Sequence, residues 1–534
     1  MTVEPSREVF WADAETRLLA PGRTHTIRDS KTPSGTVPIS SLRGPVITSA
    51  LHRTFLAHGL TCRFVYTIDD YDPMDSQTMR SREGMAEHMG KPFCDIPSPE
   101  PGYGDWARFH GERFIATFAG LGIAPEFHWM RDLYRSGALD GAIDLTLRNA
   151  ATIREIYARV ANVRKDDDWY PVHVICERCG KIGTTKVTGY DGTRVTYACL
   201  PDLVDWAEGC GQRGTMSPFK GNAKLPWNLQ WCAQWDHFDV TYEEGGKDLL
   251  TAGGSRDRSN EIYRAVWKKA PPPGLQHEFL TLGGKKMSTS KGVGAAAHEL
   301  VELYPPEVVR FLMLRTHPKR HVEFDPAGLS LPKLLDEYDR CGDAFASDSA
   351  SDLAKVWGLS QVGAPVAPGY RARLQLVADW VQIPSLDPAT EAAKRKGGAL
   401  DARERADLDR RVALAREWLA RWAPEESRFA VAPELPEAAR ALSPAQRDYL
   451  ARVAAEVGAV TDPETMQERL YELAKAAGLV TAEGKVSRDA FAALYAALLG
   501  RSSGPRAAWL VTTLDPAFVR ARFLEAAMAV GGAS

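Results

Sequence analysis

The sequence predicts an α/β protein carrying a cysteine-bearing inserted ribbon and ending in an all-helical C-terminal half. Three observations carry that prediction. Residues 24–68 run strand, turn, helix, strand in hydrophobic pattern. Four cysteines, Cys176, Cys179, Cys199 and Cys210, fall in two groups about twenty residues apart. From about residue 330 the composition shifts to Ala, Leu, Arg and Glu at helical spacing, broken by Pro and Gly. A chain of 534 residues is too long for one core and calls for three or four domains.

Taken in order, residues 24–29 read as a strand entering the turn Thr32-Pro33-Ser34-Gly35. A helix follows over 41–58, with Leu42, Val46, Ile47, Leu51 and Phe55 on one face. Residues 62–68 form a second strand that ends in the acidic turn Asp69-Asp70-Tyr71-Asp72. This is a βαβ unit, and ligands of such sheets sit at the carboxyl ends of the strands; an α/β unit with no ligand is the alternative. Residues 95–225 read as an insertion, with helices near 103–121 and 140–164 and then the ribbon. The strand pattern resumes around 238–241 and 249–254.

In the ribbon, Cys176-Glu177-Arg178-Cys179 is a CxxC knuckle, and residues 186–195 read as a hairpin leading to Cys199 and Cys210. Two thiol pairs joined by a hairpin suit tetrahedral zinc, although the second spacing is wider than usual. Four sulfur ligands leave no open position, so such a zinc would be structural. A relic that no longer holds metal and a redox role are the alternatives. Cys62, Cys94, Cys232 and Cys341 stand alone, and eight cysteines are too few for a disulfide scaffold.

The stretch Gly284-Lys285-Lys286-Met287-Ser288-Thr289-Ser290-Lys291-Gly292 is too polar for a core strand and too glycine-flanked for a helix interior. It can lay ammonium and hydroxyl donors along a polyphosphate, or it is a solvated surface loop. Bulk properties choose little. Apolar content of 44% and charged content of 25% are ordinary, and a net charge of −3 selects no partner. That sum does not exclude RNA, which is bound by local basic patches. The start of the chain has no basic, then apolar, leader pattern, and no run of about 18 apolar residues occurs, so a cytoplasmic protein without membrane contact is expected.

Several segments together resemble the class I lysyl-tRNA synthetases, the archaeal-type enzymes. The Lys/Ser loop resembles the KMSKS loop of class I enzymes. The Thr32–Gly35 turn is similar to the family's TPSG, and Asp69-Asp70-Tyr71-Asp72-Pro73 to its DDYD turn. Gly90-Lys91-Pro92 with Asp95-Ile96-Pro97, and Tyr134-Arg135-Ser136-Gly137, resemble further family elements. So do the knuckle with Val187-Thr188-Gly189-Tyr190-Asp191-Gly192, and the tryptophans Trp227, Trp231 and Trp235. Gly246-Lys247-Asp248 with Gly253-Gly254-Ser255, and Leu498-Leu499-Gly500 with Gly504-Pro505-Arg506, complete a series whose order holds from about residue 24 to 520.

The resemblance implies a Rossmann-type class I catalytic core over 1–95 and 226–295, split by a connective insertion with the zinc knuckle over 96–225. A stem-contact region at 296–345 and a helical anticodon-binding domain at 346–534 would follow. It implies ATP-dependent activation of lysine to lysyl-adenylate with Mg2+, then transfer of lysine to the 3′ end of tRNA(Lys). Attack of a carboxylate on the α-phosphate needs mainly positioning and neutralisation of the leaving pyrophosphate. Lys286 and Lys291, with Ser288 and Ser290, are the candidates for that work. Thr32, Gly35, Pro38, Ser40, Ser41, Asp248, Gly253, Gly254 and Met287 are candidates around ATP. An ammonium wants a carboxylate and an aromatic wall, and Asp29, Ser30, Asp69, Asp70, Trp227, Trp231 and His277 are candidates for the lysine pocket. Cys176, Cys179, Cys199 and Cys210 would hold structural zinc. A monomer is the expected state. Arg315, Lys319 and Arg320, at a helix over 308–315 and its basic turn, are candidates for tRNA phosphates, with a solvated turn as the alternative.

The sequence departs from the family where the chemistry lies. Val37-Pro38-Ile39-Ser40-Ser41 stands in place of the HIGH-like motif, so Pro38 replaces a histidine and Ser40 a glycine. Proline offers neither an imidazole nor an N–H donor. His25 and Thr36 are the nearest groups available to compensate. Gly44, Leu249, His277 and Thr289 also differ from common family residues. Two other readings therefore stand beside the ligase: a tRNA-binding or regulatory paralogue that forms no adenylate, and a class I enzyme of changed amino-acid specificity.

Overall fold

The computed structural model describes residues 10–282, 285–286, 296–298, 301 and 304–529. The chain forms two compact units, Met1–Phe324 with Arg340–Ala367, and Asp325–Asp339 with Pro368–Ser534.

The first unit is built on a parallel sheet. Strand β1 (Thr24–Lys31) is followed by helix α1 (Arg43–Ala57) and strand β2 (Thr61–Ile68), the expected βαβ unit. Helix α1 buries Val46, Ile47, Ala50, Leu51 and Phe55 completely, which is the face its sequence period marks. A 3-10 turn over Ile39–Leu42 leads into it. Strand β3 (Glu126–Trp129) pairs in parallel with β2 and forms the sheet edge. It lies inside the stretch read as inserted, so the interruption of the sheet begins later than composition suggests. The alternating Glu126-Phe127-His128-Trp129 is only four residues long, too short for its period to stand out.

After β3 come helices Met130–Ser136, Asp140–Arg148 and Ala150–Ala161, and then the ribbon. Its strands Thr185–Tyr190, Val195–Cys199 and Arg213–Met216 are antiparallel, as the hairpin reading expects. Helix α2 (Trp227–His237) returns the chain to the sheet. The strand pattern read at 238–241 and 249–254 is corrected by the structure. Asp239 turns in the left-handed region (φ 48°), and the strand β4 is Tyr242–Glu243. Residues Lys247–Leu250 form a short helix, and helix α3 (Ser255–Ile262) starts directly after Gly254. Strand β4 pairs in parallel with β1, so the order is β3-β2-β1-β4. The connection from β1 runs to one side and β4 lies on the other, and a crevice opens at the carboxyl ends where the order reverses.

The second unit is helical in its described residues, from Leu374–Val381 to Pro516–Met528. Its helix starts are written in sequence. Asp401 with Glu404 and Ser443 with Gln446 form capping boxes at the helices Ala402–Arg421 and Pro444–Glu456. The alternating charges of Ala402–Arg421 pair along its surface, Arg405 with Asp409 and Arg421 with Glu417. Arg411 is the exception: it is buried and clamps Asp339 and Asp407. Among the described residues no helix is long and apolar enough to cross a membrane.

Candidate functional site

The carboxyl ends of β1 and β4 open into a cavity of about 270 Å³. Asp29, Ser30 and Lys31 enter it from β1, and Glu243 and Glu244 from the end of β4. Ser40, Ser41 and Gly44 line it from the start of α1, Trp227 and Trp231 from α2, and Asp248 and His277 from the segments beyond. Residues separated by more than two hundred positions thus converge because β1 and β4 are neighbours in register, Ile27 opposite Tyr242 and Arg28 opposite Glu243.

One carboxylate organises the wall. Glu243 is 3% exposed and accepts from the Arg28 guanidinium at Oε1. At Oε2 it accepts from the indole N–H of Trp231 (2.6 Å) and of Trp235, and from Arg256 (3.2 Å). Its acceptor capacity is filled, so a ligand cation finds nothing left on it. What it does is fix the tryptophans, whose rings follow one another along α2 with centroids 4.7 and 5.4 Å apart. Arg28 in turn donates to Thr67 and Gln234. Both terminal nitrogens of Arg28 are thus engaged, which offsets much of the cost of burying the pair.

Two other carboxylates keep free capacity. Asp29 accepts from the Ser30 N–H at Oδ1 (2.7 Å), while its Oδ2 is out of contact with water and has no hydrogen-bond partner. Burial, and then the neighbouring Glu244, push the Asp29 carboxyl well above its ordinary range. Glu244 accepts from Thr48 at Oε1 (3.2 Å) and is paired with His277 at Oε2. Arg43, also on the wall, donates to the carbonyls of Pro318 and Arg320, and burial lowers its guanidinium to about 10. Glu243, Glu244 and Arg43 are missed by reading the sequence alone. A doubled acid at the end of a two-residue strand was the signal for the first two.

The cavity gathers Asp29, Ser30, Ser40, Ser41, Asp248, Trp227, Trp231 and His277 of the residues expected from sequence. The others lie elsewhere. Asp69 is buried and accepts from Gln230 and Gln234, and burial with Asp72 pushes it up to about 7. Asp70 is bonded by Arg131, and burial pushes it up to about 6. Thr32 donates to Asp72 (3.0 Å), and Gly35 is buried in its turn. Gly253 takes a positive φ of 71° and donates to Asp257, and Gly254 caps α3. Pro38 is buried, bridges to Ala296, and accepts from the Ser41 N–H at the start of the 3-10 turn. His25 is engaged by Ala20 and Thr241. Lys286 is described only as part of a short strand, and Met287, Ser288, Thr289, Ser290 and Lys291 lie outside the described residues.

In the ribbon, the Sγ atoms of Cys176, Cys179, Cys199 and Cys210 all lie within 4.8 Å of one another, and no disulfide joins them. The separations of 3.5 Å (Cys176 to Cys210) and 3.7 Å (Cys179 to Cys199) match the edge of about 3.8 Å that a tetrahedral zinc–thiolate site requires. The ten-residue gap between the last two cysteines is spanned because Cys199 ends one strand and the chain loops back beside it.

A family model described as class I tRNA synthetases (K) matches residues 9–363. The lysine–tRNA ligase of Archaeoglobus fulgidus is 31% identical, covering 97% of this chain and 100% of that one. Lysine–tRNA ligase 1 of Methanosarcina acetivorans is 33% identical over 97% and 98% of the two chains. The lysine–tRNA ligase of Thermoplasma acidophilum is 31% identical over 96% and 98%. Glutamate-tRNA synthetase of Elizabethkingia anophelis, a solved structure, aligns over 95% and 100% at 12% identity and a TM-score of 0.41, too distant to carry weight. With a parallel sheet, a crevice at its switch point and a matched stretch of more than half its length, the chain belongs to the class I tRNA synthetases (K).

Proposed function

We infer that the protein is a lysine–tRNA ligase: it activates lysine with ATP and transfers it to tRNA(Lys). The observation that carries this reading is end-to-end similarity to lysine–tRNA ligases in a chain whose switch-point cavity is acidic and walled by tryptophan. A lysine carboxylate oxygen attacks the α-phosphorus of ATP, the bond to the β-phosphate oxygen breaks, and pyrophosphate leaves. A terminal ribose hydroxyl of the tRNA then takes the lysyl group, and AMP leaves.

In this reading Asp29 receives the side-chain ammonium, with Trp231 and Trp227 beside its methylenes and Ser30 and His277 on the rim. Ser40, Ser41 and the first turn of α1 face ATP, and Asp248 bonds a ribose hydroxyl. Lys286 and Lys291, with Met287, Ser288 and Ser290, would serve the phosphates, and Mg2+ would supply further charge neutralisation. The four cysteines hold one structural zinc, supported by their tetrahedral spacing. Residues 1–95 and 226–295 are the catalytic halves, 96–225 the connective insertion, 296–345 the stem-contact region and 346–534 the anticodon-binding domain. The enzyme works as a monomer in the cytoplasm, where its tRNA is.

The altered HIGH-like segment favours a second reading, a tRNA-binding paralogue that makes no adenylate. ATP–pyrophosphate exchange with each of the twenty amino acids, run beside charging of total tRNA, separates them. Lysine-dependent exchange and charging are expected. Exchange with another amino acid would change the assigned substrate, and silence with tight tRNA binding would favour the paralogue.

A further inference from the structure

Gly44 opens the most informative part of the cavity. A side-chain carbon built there would meet Asp29 Oδ2 at 2.9 Å and Glu244 Oε1 at 3.1 Å. Two carboxylate oxygens, one from each of two neighbouring strands, therefore converge on a single bare point of helix α1. Among the described residues neither is spent: Asp29 Oδ2 has no partner, and the bond to Glu244 Oε1 comes from the Thr48 hydroxyl. Glu243, on the same wall, is by contrast engaged by two guanidinium and two indole donors. Glu244 cannot swing away, because its other oxygen is held by His277, and its side chain is 1% exposed.

We propose that Glu244 is a second specificity-determining carboxylate, which with Asp29 forms an acidic slot over Gly44 for the substrate's side-chain ammonium. The proposal rests on the ligase reading for its substrate, while the slot itself rests on geometry. A primary ammonium offers three N–H donors from one atom and can serve two converging oxygens at once. A guanidinium is a wider planar fork whose best partner is a bidentate carboxylate, so arginine is expected to be accepted less well than lysine. A neutral isostere such as norleucine would bring no donor to Asp29 Oδ2 or Glu244 Oε1 and be rejected. Glycine at position 44 is what keeps the slot open.

The test uses the full-length enzyme, with lysine, arginine and norleucine as amino acids in ATP–pyrophosphate exchange. Equilibrium binding of labelled lysine is measured alongside. Glu244→Gln should raise the lysine KM by about 30-fold or more, which is about 2 kcal/mol, while kcat stays within about fivefold. The preference for lysine over norleucine should fall in proportion. Gly44→Ala, whose methyl would press on both oxygens, should lose lysine binding by a similar factor, with the melting temperature followed to confirm folding. Glu244→Asp should restore part of the preference. An unchanged lysine KM and lysine-to-norleucine ratio in Glu244→Gln overturns the slot. If wild type binds lysine in a Glu244-dependent way but shows no exchange, the slot stands and the ligase reading fails. If wild type exchanges only with an uncharged amino acid, or binds no lysine, the slot is overturned.

Discussion

At the residue scale, the proline that stands in place of the HIGH-like histidine has a structural setting of its own. We propose that Pro38 supports the site structurally and does not limit the reaction. It is buried, caps the 3-10 turn before α1, and leaves Ser40 and Ser41 on the cavity wall. Putting histidine back would add bulk to a filled place and restore no donor to the cavity. The double variant Pro38→His, Ser40→Gly is expected to exchange no faster than wild type. Overpacking should make it about 1–3 kcal/mol less stable in urea unfolding. A gain in rate of tenfold or more would show that position 38 does limit the reaction. Single residues were legible in sequence where a side chain acts near its own turn, as with Asp29 and Ser30 at the end of β1. Glu243 and Glu244 were not, because their partners Arg28, Thr48 and His277 are distant in the chain and only strand register joins them.

At the scale of elements, strong period and local chemistry made β1, α1, β2 and the ribbon hairpin readable, since each carries its own signal. Strand β4 was misplaced because two residues hold no period, and its strand state comes from pairing with β1. Strand β3 was hidden by its four-residue length for the same reason. The ribbon has small hydrophobic strands and a cysteine cluster, so its stability should depend on metal. The purified protein is expected to carry about one zinc per chain by elemental analysis. Cys199→Ser should abolish most of that content and lower the melting temperature by roughly 5 °C or more. Full stability with no bound zinc would make the cluster a relic.

For the whole molecule, 66 basic and 69 acidic side chains nearly cancel, so no global field draws RNA to the surface. Attraction has to come from local groups such as the exposed Lys319 and Arg320, whose turn is held from below by Arg43. The KM for tRNA in charging should rise roughly tenfold between about 50 and 200 mM salt, as a few phosphate contacts are screened. Lysine-dependent exchange without tRNA should change less than twofold. Equal sensitivity of both reactions would locate the salt effect in the catalytic cavity. The sequence announced a sheet core and a helical second half, because composition and period extend over many residues there. It was silent on how the segments meet, and Glu243 shows what that conceals. One carboxylate ties β1, β4, α2 and α3 together while it shapes the wall that a substrate touches. Sequence drift at that position is therefore penalised twice. A library built to redirect amino-acid choice should hold Glu243 constant and randomise the bare or half-engaged positions around it.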